Sequence, residues 1–229
     1  MIDALTRTVV PPKPALWRRW TSLPMFSYYN RLMAVVLLGN AACVLMVVDV
    51  HTITVETLSG MVLINLSVAI LIRQQYLINA LFWLATRVPL AWPLRVRRSA
   101  AKVYHFGGLH SGAAVAATGW FAAMVGVQVA RHLQQPGSVS SAWLWLSSVL
   151  LGLLMLIVVM ALPWIRGRFH NGFERVHRFA GWGALLLFWG LTLLASIEAS
   201  TPLSHSGSFW VLVLLTLSIA SPWLRLRKV

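Results

Sequence analysis

Arg168-Phe-His-Asn-Gly-Phe-Glu-Arg-Val-His-Arg-Phe-Ala-Gly-Trp182 places two histidines, His170 and His177, seven residues apart at the start of an apolar run. A second pair, His105 and His110, opens an earlier apolar run in Lys102-Val-Tyr-His-Phe-Gly-Gly-Leu-His-Ser-Gly112. Both runs reach the roughly 20 mostly apolar residues that a bilayer crossing takes. Ionisable side chains at membrane depth cost several kcal/mol unless they are paired or bound, so they are functional candidates. Two such clusters on two helices point to a ligand shared between them.

The composition agrees with a membrane setting. The chain has 229 residues, of which 59% are hydrophobic and 10% charged. A soluble domain carries about 25% charged residues, so this chain cannot cover a water-facing surface. It reads as an all-α integral membrane protein with one membrane domain. The net charge of +14 does not indicate nucleic acid, because the basic residues cluster beside apolar spans instead of forming one soluble patch. Cys43 is the only cysteine, so there is no disulfide framework. The first apolar run begins near residue 32 after a basic lead, and no cleavable signal peptide is expected.

Six spans are expected, at about 30–49, 56–73, 103–130, 142–164, 176–198 and 208–224. They form a single bundle over 30–224, flanked by a basic cytoplasmic segment 1–29 and a cytoplasmic tail 225–229. Residues 76–88 are apolar but too few to cross, so they are placed as an interfacial helix or a continuation of the second span. With this layout 18 of the 19 basic residues share one side and only Arg131 lies on the other. The positive-inside rule then puts both termini in the cytoplasm, and the expected location is a bacterial inner membrane. Trp143, Trp145 and Trp210 fall near the outer interface, with Trp164 and Trp223 near the inner one. The short outer loops carry His51, His132 and His205. The stretches from Lys102 and Arg175 share three identities in seven positions, too few to establish an internal repeat.

Spans three and five run the same way, so their histidines lie at one face and similar depth. His170, Glu174 and His177 fall near one helical stripe, provided the helix already runs at 170 despite Gly172. His105 and His110 are about 140° apart and cannot both face one partner helix. A heme iron takes axial ligands on opposite faces of the porphyrin, which two histidines from facing helices supply. The expected ligands are the deeper pair, His110 and His177, with His105 and His170 as neighbours or alternates. Gly107 and Gly181 would leave room for the macrocycle. Arg97, Arg98, Arg175 and Arg178 are available for its propionates. The expectation is one heme b toward the cytoplasmic side.

Two other readings stay open. Glu174-Arg-Val-His177 matches the Glu-x-x-His pattern of di-iron bundles, so His105, His110, His170, Glu174 and His177 are candidates for a non-heme metal enzyme. Alternatively, the chain is a non-redox scaffold, sensor or small transporter whose basic face recruits an enzyme or anionic lipid. Asn40, Asn65, Ser67 and Gln128 read as polar joints between helices.

The run His170-Asn-x-Phe-Glu-x-x-His-Arg-Phe-x-Gly-Trp182 resembles the ferric-reductase-like transmembrane proteins. The nearest likeness is to the branch found as the membrane portion of certain fungal flavoproteins and at the end of some adenylate-forming synthetase-like proteins. The resemblance implies heme b, bis-histidine ligation by His110 and His177, and electron transfer from a cytoplasmic flavin or NAD(P)H domain. Two-heme members carry a further histidine along each helix, where this chain has Met124 and Leu191, so one heme is expected. The flavin and nicotinamide module is expected on a separate soluble partner at the cytoplasmic face. The expected acceptor is a quinone, a lipid-borne metabolite or a cytoplasmic partner. Membrane lipid is the other expected partner.

Overall fold

Prolines, caps and polar breaks divide the apolar sequence into helices. The computed structural model describes Leu23, residues 26–47 and residues 54–223. Most of the segment 1–29, His51 and the tail 225–229 lie outside the described residues. Helix α1 spans Tyr28–Val47 and α2 Val55–Leu71. Thr54 caps α2, its hydroxyl accepting from the Thr57 amide at 3.1 Å, and Glu56 sits in the positive first turn. Gln74 then adopts an extended conformation and caps α3, Gln75–Thr86, which leaves α2 at 61°. That bend is the polar break expected before residues 76–88. A short α4, Leu94–Ala100, and a 3-10 turn, Val103–Phe106, lead into the 28-residue α5, Gly107–Gln134. Helix α6, Ser141–Ala161, starts at the Ser140 cap. It stops at Leu162, which Pro163 forces out of the helical region. Helix α7, Pro163–Arg168, is short; α8 runs His170–Glu198, and α9 Gly207–Ala220. Helix α8 is already formed at Gly172, so the stripe from His170 to His177 exists.

No strand occurs among the described residues. By length and composition α1, α5 with its preceding turn, α6 and α8 can each cross a bilayer, and a fifth crossing results if α2 and α3 count as one bent span. Helix α9, at 14 residues, falls short of the length expected for the sixth span.

Helix α5 is the centre, packed against α1, α2 and α6, while α8 packs on α6, α7 and α9, and α9 returns to α2. The α5 face toward its neighbours is built from small residues, with Gly108, Gly112, Ala113, Ala116 and Ala117 all buried. Apolar side chains gain little by leaving lipid for protein, so close backbone approach is what holds such helices together. A Cβ on Gly108 would run into the Tyr29 carbonyl oxygen, and one on Gly112 would lie 2.9 Å from the Met33 carbonyl oxygen. Asn40 and Asn65 exchange amide hydrogen bonds at 3.0 and 2.8 Å, and the Trp120 indole donates to Asn40 at 2.7 Å. That polar joint ties α1, α2 and α5, as Asn40 and Asn65 were expected to do.

Helices α5 and α8 are not a close-packed pair, and only side chains cross between them. His110 meets His177 with ring centres 6.1 Å apart, and Phe121 meets Phe188 at 5.7 Å. Each pair is separated by 67 positions, so the two helices run parallel and in register. The partial sequence repeat would align Lys102 with Arg175, an offset of 73, and does not set this register. Of the belt tryptophans, Trp145, Trp210, Trp164 and Trp223 are exposed. Trp143 departs from the expectation: it is only 8% exposed and turned inward.

Candidate functional site

The separation of α5 from α8 leaves a cavity of about 410 Å³, within the size range of small-molecule sites. His110 enters from α5 and His177 from α8. Ala114 and Gly181 line it one helical turn beyond the respective histidines, so both helices present a small residue at the matching position. Leu66, Ala69, Leu154, Leu185, Phe188 and Leu212 supply apolar walls. Arg73, Gln74, Gln75 and Arg178 gather where α2 ends and α8 begins.

The two imidazoles are held differently. His110 Nδ1 lies 2.7 Å from the Ala69 carbonyl oxygen. A carbonyl only accepts, so Nδ1 carries the proton and Nε2 keeps its lone pair. The His177 ring lies against Phe173, centroids 5.4 Å apart, and its plane crosses that of His110 at 71°. The site therefore offers one oriented imidazole lone pair and a second imidazole facing it across an apolar space.

The other sequence candidates go elsewhere. His105 packs between Tyr28 and Tyr104, with centroids at 5.6 and 4.1 Å. His170 pairs with Glu174 at 3.3 Å on the exposed first turn of α8. Neither lines the cavity, and among the described residues no three His, Cys, Asp or Glu side chains gather as a metal group. The five-residue non-heme site is thus not assembled. Gly107 faces the Tyr29 ring, 3.3 Å from where a Cβ would sit, and not the cavity. Arg97 reaches the Leu90 carbonyl at 3.4 Å within its own α3–α4 region, and neither it, Arg98 nor Arg175 lines the cavity. Of the four arginines singled out from the sequence, only Arg178 lines the cavity. Arg73 and the Ala69 carbonyl were missed. Arg73 ends an apolar helix, a signal that reads equally as a simple break, and a backbone acceptor leaves no trace in sequence.

Two curated proteins of Coprinopsis cinerea (strain Okayama-7 / 130 / ATCC MYA-4618 / FGSC 9003) are similar to this chain. Adenylate-forming reductase 03009 is 36% identical and adenylate-forming reductase 06235 is 35% identical, each over 212 residues. The similarity covers 90% of this chain and 21% of either relative. The chain therefore spans about a fifth of the length of the curated relatives it matches. No family model and no solved structure matches it.

Met124 and Leu191 take matching positions further along α5 and α8, again 67 residues apart, and both are buried. They line a second, smaller cavity at the other end of the bundle. Phe188 and Leu63 border both cavities and form the wall between them.

Proposed function

We propose that the chain is a ferric-reductase-like, six-span membrane subunit that holds one heme b between His110 and His177 and carries single electrons for an oxidoreductase. The observation that carries this reading is the 6.1 Å between the two ring centres across an apolar cavity. With metal–imidazole bonds of about 2.0–2.1 Å, two rings at about this separation could both hold one metal. The residues fit the group: one lone pair is oriented by the Ala69 carbonyl, small side chains flank both histidines, and two guanidiniums line the cavity.

A bound heme b supplies reversible one-electron chemistry at its iron. The chain's own residues do the rest. His110 and His177 would hold the iron, while the apolar walls would keep water away from it. Arg73 and Arg178, which line the cavity, would offset the charge of the propionates. The histidines lie toward the side where Arg73, Arg87, Lys102, Arg166 and Arg168 emerge. The proposed topology makes that side cytoplasmic, with both termini there, and the electron donor a separate flavin or NAD(P)H protein docking on it. The word reductase in the relatives' names fits an oxidoreductase. Their fungal source lends nothing to a bacterial inner membrane.

The test is an absorption spectrum of the detergent-purified chain, produced with heme supplementation, before and after dithionite. A Soret band with sharpened visible bands on reduction is expected. A chain without a Soret band and without extractable heme overturns the proposal.

A further inference from the structure

Helix α3 has no buried residue and packs on α4 and on the turn Val103–Phe106. At 12 residues it is about 18 Å long, too short to cross a bilayer. At 100° per residue Leu77, Leu81, Leu84 and Ala85 share one side, and Gln75, Asn79 and Thr86 the opposite one. Tyr76 and Trp83 stand at one border between the two sides, and both are exposed. The direction of α3 is fixed by one side chain. Gln74 accepts from the Tyr76 amide at 2.6 Å and donates to the Ser221 hydroxyl at 2.9 Å, so it both starts α3 and fastens the bend to the end of α9. The 61° bend, added to an ordinary span tilt of about 20°, lays α3 close to the membrane plane.

The charge of this arm has one sign. Arg73, Arg87, Arg95, Arg97, Arg98 and Lys102 fall between residues 73 and 102, and no Asp or Glu does. Among the described residues none of them forms an ion pair. Arg97 turns back to the Leu90 carbonyl at 3.4 Å, whereas Arg95 and Arg98, three positions apart on the other side of α4, are exposed. The Arg87 guanidinium lies 3.8 Å from the centre of the Trp83 ring, which holds a cation level with an interfacial aromatic. We propose that α3 and α4 form a docking surface for anionic phospholipid, with α3 lying in the membrane interface and Arg87, Arg95 and Arg98 contacting headgroup phosphates. An amphipathic helix with tryptophan at its border and unpaired arginines beside it matches a surface that is apolar below and negative above. The exposed Leu90 and Trp92, between the two helices, extend the apolar side. An acidic protein is the rival occupant. The surface rests on the membrane character of the chain and not on the heme.

The test uses the full chain in detergent with equimolar phosphatidylglycerol and phosphatidylcholine, and native mass spectrometry counts the lipids retained. Phosphatidylglycerol is expected to be retained at least fivefold over phosphatidylcholine. The triple change Arg87→Gln, Arg95→Gln and Arg98→Gln is expected to abolish that preference. Arg131→Gln, on the far end of α5, is expected to keep it, as is Arg95→Lys with Arg98→Lys. Melting curves check that the variants fold, and the exposed pair Arg95→Gln with Arg98→Gln, expected to lower the preference at least twofold, serves if the triple change does not. A nitroxide on Leu84→Cys in a Cys43→Ser chain, placed in vesicles of the same two lipids, is expected to be shielded from a water-soluble nickel complex and open to oxygen. None of these readouts needs heme. Equal retention of the two lipids, a preference unchanged by loss of the arginines, or a nitroxide open to nickel overturns the proposal; equal retention with a bound acidic protein identifies the rival occupant.

Discussion

The Ala69 carbonyl oxygen accepts a hydrogen bond from Nδ1 of His110 at 2.7 Å, joining the end of α2 to the start of α5. That contact leaves Nε2 of His110 as the ring nitrogen able to bind a metal facing His177. His110→Ala and His177→Ala are each expected to abolish the bis-imidazole heme spectrum. His105→Ala and His170→Ala are expected to keep it, because their rings are engaged with Tyr28 and Tyr104 and with Glu174. Reduced-minus-oxidised difference spectra at equal protein concentration decide the matter, and heme lost from the second pair of variants would refute the assignment.

Arg73 and Arg178 are the cations of the cavity, whereas Arg97 and Arg98 belong to the α3–α4 region. Arg73→Gln and Arg178→Gln are expected to weaken heme retention roughly tenfold each, the loss of about 1.4 kcal/mol of charge-assisted bonding. Arg97→Gln and Arg98→Gln are expected to leave it unchanged. Heme transfer to apomyoglobin measures the difference as an off-rate.

Gly108 and Gly112 let α5 approach the α1 backbone, and a methyl group at Gly108 has nowhere to go because the obstacle is the Tyr29 carbonyl. Gly108→Ala is expected to cost about 1–3 kcal/mol or more, and Gly112→Ala less. Gly119→Ala, on the same helix, meets nothing within 4 Å. It is expected to be neutral or to stabilise by up to about 1 kcal/mol through helix propensity. Thermal unfolding in detergent should rank the three variants in that order.

Asn40 holds three hydrogen bonds with Asn65 and Trp120. Asn40→Leu leaves the Trp120 N–H and the Asn65 amide oxygen unpaired at once, while the Asn65 amide nitrogen keeps its bond to the Met61 carbonyl, for an expected loss of about 1–2 kcal/mol. Trp120→Phe removes one bond together with its donor and is expected to cost less. Adding Asn65→Leu to Asn40→Leu should cost less than the sum of the two single changes, since the partner is already lost. Equal additivity in a double-mutant cycle would show that the joint carries no coupling.

The helices were legible because their signals are local. The Thr54 cap, the Arg73-Gln74-Gln75 break and Pro163 each act within a turn or two, so most helices fall close to the expected ranges, while α9 ends short of its expected span. The same locality explains why His110 and His177 could be singled out: a deeper histidine on each of two parallel apolar helices is a pattern of spacing and depth. Met124 and Leu191 were likewise readable as apolar positions, and both are buried.

Tertiary structure alone decided what faces the gap. Arg97 and Arg73 are both basic residues beside apolar runs, yet Arg73 lines the cavity at the end of α2 while Arg97 lies on α4, beyond the 61° bend between α2 and α3. Gly107 and Gly181 look alike in sequence, yet rotation about the helix axis turns one toward α1 and the other toward the cavity. Trp143 was assigned to the lipid interface by its place near a span end, but packing of α6 carries it inward. The sequence by itself determined a helical, lipid-compatible chain and the two histidines worth following. The register of α5 on α8, the Ala69 carbonyl and the cations of the cavity came from long-range packing, because backbone acceptors and helix rotations are set by neighbours distant in the chain.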